Sequence, residues 1–425
     1  MIYVLIFLMI VFLILGFIMT KRTINPLSIF NAIWLVVILL YQLRLSVLQG
    51  KLNEKTIITF IICILLFSVS FIIGNLLLSK NKNTKVKENK IIKYNLIKKM
   101  YIFWIVVEII ETIYSKGLPI IWKITGSAKT YMNYGIPTVH GLMNAIGLCI
   151  VILSFYLYMY EKNNYNKKNK KLLLIIVSIL GFSLCLITRQ VIVTAIIEIG
   201  VIYICFQKRI PWKKIILLSL VGIIVFGIIG NFRTGYQEFL DVAVMKNEQI
   251  PKPLIGFYWV YMYLTMTVAN VNNAVLLGIN GYGITPIASV YIPTVISNLL
   301  FSNSSIKVPN YLVTQAFNVS GFFIEFYIAY GNLGVGIISF VYGILGAYIF
   351  SKIKRDESEK NILYYAIYLQ IIVLSFFYNH LLYLPSGFQL VIIFIIFKLF
   401  AKQDKKEMNN YETKLLWSYY NNSNV

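Results

Sequence analysis

Acidic side chains are scarce in this chain: 16 Asp and Glu stand against 39 Lys and Arg, and charged residues of either sign make up 13% of the sequence. A soluble domain of 425 residues needs far more polar surface than that. Cysteine is rare too. Cys63, Cys149, Cys185 and Cys205 each sit inside an apolar run and none form a CxxC pair, which excludes a disulfide framework and a cysteine metal site. There is no Walker sequence, so ATP-driven transport is not expected. The two histidines, His140 and His380, are far apart, and no ligand spacing of His, Cys or Asp and no DxD-like pair is visible. External chemistry is therefore expected to be metal-independent, and no cofactor is implied. A basic leader segment is also lacking: residues 2–19 are apolar with no charged n-region and no small-residue cleavage site, so no cleavable signal peptide is expected.

What is abundant is apolar sequence. Hydrophobic residues make up 59% of the chain, and its mean hydropathy is +0.75. Apolar runs of bilayer-spanning length recur. They predict an all-α polytopic membrane protein forming one integral membrane domain over residues 1–425, with about eleven spans. These fall near 2–19, 28–46, 56–78, 100–115, 139–160, 172–188, 190–207, 215–231, 326–350, 362–379 and 386–401. The net charge of +23 lies in the intervening turns, so it is read as topology and not as a nucleic-acid surface. One set of alternate turns carries 28 of the 39 basic residues, including the loop 79–99 and the tail 402–425. That set is expected to be cytoplasmic, with the N-terminus outside and the C-terminus inside a bacterial cytoplasmic membrane.

On this topology residues 232–325 begin and end outside. Stretches 254–278 and 284–301 are fairly apolar but carry Asn270, Asn272, Asn273, Pro286 and Pro293. Irregular polar backbone is tolerated at membrane depth only where it lines protein or a cavity. The segment is expected to be a large external loop with interfacial or re-entrant helices, or else to contain a crossing hairpin that raises the count to thirteen.

The same topology gathers candidate chemistry on the outer face. Arg189, between two apolar runs, and Arg233, just after a third, fall at one level. Arginines at a membrane boundary are costly, and the guanidinium fork suits phosphate oxygens. Snorkelling to headgroups is the alternative. His380, in a short external turn, Glu325, at the outer start of a span, and Glu238, three residues before Asp241, are candidate bases. Glu108, Glu111 and Glu198 fall inside spans, and the first two are placed to flank a polar cavity. The 31 Tyr and 28 Phe suit interfacial belts.

Three short segments carry a resemblance: Ile187-Thr188-Arg189-Gln190-Val191-Ile192, Phe232-Arg233-Thr234-Gly235, and the aromatic, glycine-rich run from Gly321 through Glu325 and Gly331 to Gly336. With the overall architecture they resemble the Wzy-type oligosaccharide repeat-unit polymerases of O-antigen and capsule synthesis. Thr188 departs from the small residue often found before the first arginine, and many members have twelve or more spans, so twelve to fourteen is the range the resemblance implies. It implies a GT-C-like fold and a metal-independent glycosyltransferase. A growing glycan would pass from undecaprenyl pyrophosphate to a lipid-linked repeat unit, with Arg189 and Arg233 on the pyrophosphate. It also implies a flippase and a chain-length regulator as partners beside membrane lipid. A flippase or transporter of lipid-linked oligosaccharide, or a related O-antigen ligase, is the competing reading.

Overall fold

The computed structural model describes residues 1–22, 24–79, 91–207, 212–247, 251–292 and 309–400. Most of the expected basic loop 79–99, the tail 402–425 and residues 293–308 of the expected external loop, with Pro293, lie outside the described residues. Among the described residues the backbone is helical, apart from turns and one isolated bridge between Ser46 and Met245. The helices are α1 (Ile2–Thr20), α2 (Pro26–Gln42), α3 (Glu54–Ser79), α4 (Tyr94–Ser115), α5 (Pro119–Ile124), α6 (Val139–Tyr165), α7 (Lys170–Cys185) and α8 (Gln190–Gln207). They continue with α9 (Trp212–Thr234), α10 (Tyr236–Ala243), α11 (Ile255–Leu276), α12 (Thr285–Tyr291), α13 (Ile324–Arg355), α14 (Glu359–Val373) and α15 (Leu384–Phe400).

Five of these, α1, α3, α6, α8 and α13, are long and apolar enough to cross a bilayer. The chain is a helical membrane protein. The outward surface agrees: α1 leaves Tyr3, Phe7 and Ile18 at 83, 64 and 67% exposure, a surface that only lipid solvates well. Among the described residues that criterion gives five spans, fewer than the expected eleven. Helices α2, α7, α14 and α15 are apolar or largely so but have 17, 16, 15 and 17 residues. About 20 are needed to span the hydrocarbon core without bilayer adjustment.

The tightest packing is between α3 and α13, and small residues permit it. A side chain at Gly343 would run into Ser70 and the Phe67 carbonyl. One at Gly74 would meet Ala347 at 2.7 Å, and one at Gly336 would meet Leu66 at 2.8 Å. With no hydrophobic drive between helices in lipid, such close approach supplies the van der Waals contact that holds them. Beside this seam Phe30 stacks on Phe67 at 3.7 Å, and Trp34, Phe60, Phe322 and Phe323 complete an aromatic core. Helix α13 is broken at Tyr330 and Gly331, where Gly331 has φ 60° and ψ −145°. The carbonyls of Ile328 and Ala329 just before the break accept from the Tyr282 and Gly283 amides instead.

The turns sort into two ends. At one end Arg22 pairs with Glu357 at 2.8 Å, Tyr365 donates to the Ile24 carbonyl, the Ile92 amide donates to Glu359, and Arg355 donates to the Leu78 carbonyl. At the other end Ser46 donates to the Ala243 carbonyl at 2.6 Å, and the Asn53 amide donates to Asn272 at 3.0 Å.

Residues 232–325 contain helices, as the expected segment allowed. Their centre, α11, is a 22-residue helix, buried along most of its length and packed on α9, α2 and α3. The asparagines that interrupt its apolar sequence are each bonded by backbone of neighbouring segments, Asn272 by the Thr56 hydroxyl as well. Asn270 donates to the Phe317 and Val319 carbonyls and accepts from the Val313 amide. Asn272 bonds Lys51, Asn53 and Thr56, and Asn273 donates to the Tyr311 carbonyl. Polar side chains that cap loop backbone in this way remove the cost of burying both.

Candidate functional site

Arg189 anchors the candidate site. Helices α7 and α8 are joined by a tight turn in which Ile187 takes a positive φ of 56°. The Thr188 amide and hydroxyl both donate to the Ser183 carbonyl, closing α7. The Arg189 carbonyl accepts from the Val193 amide and so opens α8. Its side chain is 8% exposed. The guanidinium carbon lies 4.5 Å from the Phe226 ring centre, 5.2 Å from Trp259 and 5.9 Å from Tyr263. Desolvated cation–π contacts of this kind are each worth on the order of 2 kcal/mol. That is the scale needed to hold a charge at this depth.

The aromatic walls come from separated segments. Trp259 and Tyr263 are on α11, one turn apart, and Phe226 is on α9. Helices α9 and α11 touch through glycine: a Cβ on Gly256 would meet the Ile223 carbonyl at 2.9 Å. The Trp259 indole donates to Asn231 at 3.2 Å, two residues before Arg233. The last turn of α9, which carries Arg233, thus abuts the arginine enclosure. The Arg233 side chain lies outside the described residues.

The same cluster continues to the turn between α14 and α15. Tyr263 stacks on Phe377 at 5.4 Å, Phe377 touches Tyr378 at 5.5 Å, and Tyr378 stacks on His380 at 4.5 Å. Gln190, next to Arg189, is within hydrogen-bonding reach of Tyr378 and Tyr383. His380 itself is fully buried. Its Nδ1 lies 2.9 Å from the Ser386 hydroxyl and 3.2 Å from the Gln370 amide. Burial without a compensating charge lowers its pKa to about 3. A neutral, enclosed imidazole ties α14 to α15 and supports Tyr378; in this arrangement it has no surface on which to meet an acceptor hydroxyl.

The other two candidate bases are placed differently. Glu325 is about nine-tenths buried in the first turn of α13 and accepts from the Tyr291 hydroxyl of α12 at 2.8 Å. Glu238 is exposed in the first turn of α10. The adjacent Phe239 packs 4.5 Å from Trp259, which sets Glu238 at the rim of the arginine enclosure.

A second polar cluster escaped the sequence reading. Glu108 and Glu111 of α4 converge with His140 of α6, their ligand atoms all within 4.8 Å of one another, an arrangement able to hold a metal ion. Glu108 also borders a groove of about 270 Å³, but its lining of Trp104, Ile105, Ile109, Ile113 and Phe182 is apolar and Glu111 is not part of it, so it is not the polar cavity expected between the two glutamates. The i, i+3 spacing of the glutamates was the available signal; His140 is 29 residues further on, and only the packing of α4 on α6 joins it to them.

No protein-family model matches the chain, and no curated protein or solved structure matches it.

Proposed function

We propose that the protein polymerises undecaprenyl-pyrophosphate-linked oligosaccharide repeat units into a surface polysaccharide at the outer face of a bacterial cytoplasmic membrane. The observation that carries the reading is Arg189, held under three aromatic rings beside the end of α9 that bears Arg233. The leaving group of such a transfer is a lipid pyrophosphate, whose developing charge needs fixed cations at membrane level. In the proposed reaction the acceptor sugar hydroxyl attacks the anomeric carbon of the donor glycan. The glycosidic bond forms, the bond to the pyrophosphate oxygen breaks, and the hydroxyl proton passes to a carboxylate. Of His380, Glu325 and Glu238, the exposed Glu238 has the access that this last role needs. The reading carries with it eleven or more spans, a GT-C-like fold and an external N-terminus. Its partners are the lipid-linked oligosaccharide, a flippase and a chain-length regulator.

A second reading, a flippase of lipid-linked oligosaccharide, is favoured by one observation, the break in α13 at Tyr330 and Gly331. Interrupted helices recur at transporter sites. Deleting the gene separates the two. The polymerase reading expects single repeat units on the outer surface or carrier with long chains lost, whereas units retained on the cytoplasmic side would identify a flippase. Arg189→Ala and Arg233→Ala should each abolish polymer with protein still in the membrane, and normal chain lengths in both would overturn the site.

A further inference from the structure

We propose that Glu108, Glu111 and His140 bind one divalent transition-metal ion of the Zn²⁺ or Mn²⁺ class, beside the groove between α4 and α7. The site is separate from the arginine enclosure and does not depend on the glycan reading.

The donor set comes from two helices. Glu108 and Glu111 lie three residues apart and so share a face of α4. His140 stands in the first turn of α6. The Nδ1 of His140 is 2.8 Å from Glu111 Oε2. Metal–oxygen and metal–nitrogen bonds near 2.1 Å place two donors on one ion at most about 4.2 Å apart. The observed spread of up to 4.8 Å closes by a side-chain rotation of less than a bond length. Two carboxylates and one imidazole suit Zn²⁺ or Mn²⁺ better than Ca²⁺ or Mg²⁺, which favour all-oxygen shells. Three protein donors leave at least one position for water or a ligand oxygen.

Burial and charge supply a second argument. Glu108 is 3% exposed and Glu111 is fully buried. Of the two carboxylates, the His140 imidazole bonds Glu111 alone. The hydrogen bond to Glu108 from the Tyr134 hydroxyl is 3.4 Å long, beyond a good O–H···O distance. A buried carboxylate so weakly satisfied, and close to a second carboxylate, is costly unless it takes up a proton or a cation joins the two. A divalent ion balances the pair.

The surroundings are arranged as an outer shell. The Ile136 amide donates to Glu111 Oε1 at 3.1 Å, which orients Oε2 toward His140. The Asn144 amide nitrogen lies 3.1 Å from His140 Nε2 and donates to it, so in this arrangement the imidazole proton sits on Nδ1 and faces Glu111 Oε2. Metal binding at Nδ1 requires the Asn144 amide to turn over, so that its oxygen accepts from Nε2–H and the Nδ1 lone pair faces the carboxylates. Such partners set the tautomer of a ligating histidine.

The test uses the purified full-length protein in detergent, stripped with chelator and then titrated with Zn²⁺, Mn²⁺ and Mg²⁺. About one equivalent of Zn²⁺ or Mn²⁺ should be retained, with a raised Tm and little response to Mg²⁺. Glu111→Gln and His140→Ala should each weaken binding at least tenfold, and Asn144→Ala by about 10- to 100-fold. X-ray absorption of the loaded wild-type protein tests the site without any variant: a shell of one nitrogen with oxygens is expected. Loss of all metal on desalting, sulfur in the shell, or wild-type affinity in His140→Ala would overturn the proposal.

Discussion

Replacing Arg189 by lysine separates charge from shape. The guanidinium lies 4.5, 5.2 and 5.9 Å from three ring centres. A desolvated cation–π contact is worth about 2 kcal/mol, the nearest ring dominates, and an ammonium keeps part of it, so the loss there is about 1 kcal/mol. On the substrate side the planar fork becomes a point charge, which forfeits one charge-assisted hydrogen bond of about 1.5 kcal/mol. The first loss falls on the fold and the second on the transition state, so on the proposed function the polymerisation rate should fall by about 1.5 kcal/mol, roughly 10-fold. Polymerisation of lipid-linked repeat units in membranes at matched protein level measures that part. Thermal unfolding in detergent measures the packing part, about 1 kcal/mol. A lysine variant that makes wild-type chain lengths at the wild-type rate would refute the reasoning, because charge alone would then suffice.

Other substitutions probe the scaffold and its polar staples. Gly343→Val drives a branched side chain into Ser70 and the Phe67 carbonyl, so membrane yield and Tm should both fall, by about 3 kcal/mol or more. Asn270→Ala leaves two carbonyls and one amide of the 313–319 segment without partners, at about 1 kcal/mol each, and limited proteolysis should then cut that segment. His380 has a depressed pKa, so its contribution to stability is complete above its ordinary pKa near 6.5 and is lost as pH falls toward about 3. His380→Gln should flatten the acid side of the stability profile between those values, and activity between pH 7 and 8 should show no titration from this residue. An unchanged acid limb would show that other groups govern it.

The apolar helices were legible because hydropathy and length are local properties. Helix α11 was not. Asn270, Asn272 and Asn273 signal water when read singly, and nothing in their neighbourhood announces that carbonyls from residues 51 and 311–319 come to meet them. Arg189 stood out because a charge between two apolar runs needs a reason. Its walls did not, since Phe226, Trp259 and Tyr263 are spread over two helices and are indistinguishable from belt aromatics until the helices pack. The external turn predicted for His380 is a turn, yet Tyr378 and Tyr383 enclose it, a burial that no sequence window shows. Glu108 and Glu111 were visible as a spaced pair, whereas His140 joins them only in three dimensions.

Helix α7 has 16 residues, about 24 Å of rise, and faces outward through Leu174 and Val177, each 66% exposed. The hydrocarbon of a typical bilayer is about 30 Å thick. On the proposed topology α7 crosses the bilayer, and lipid beside it would then have to thin by several ångströms, while beside α3, with 26 residues, it would have no need to. The protein would sit in an uneven sheet, dimpled next to the turn that carries Arg189. A headgroup drifting along the leaflet would descend toward the guanidinium with the membrane surface itself, and membranes built from longer acyl chains should resist that descent and slow the reaction.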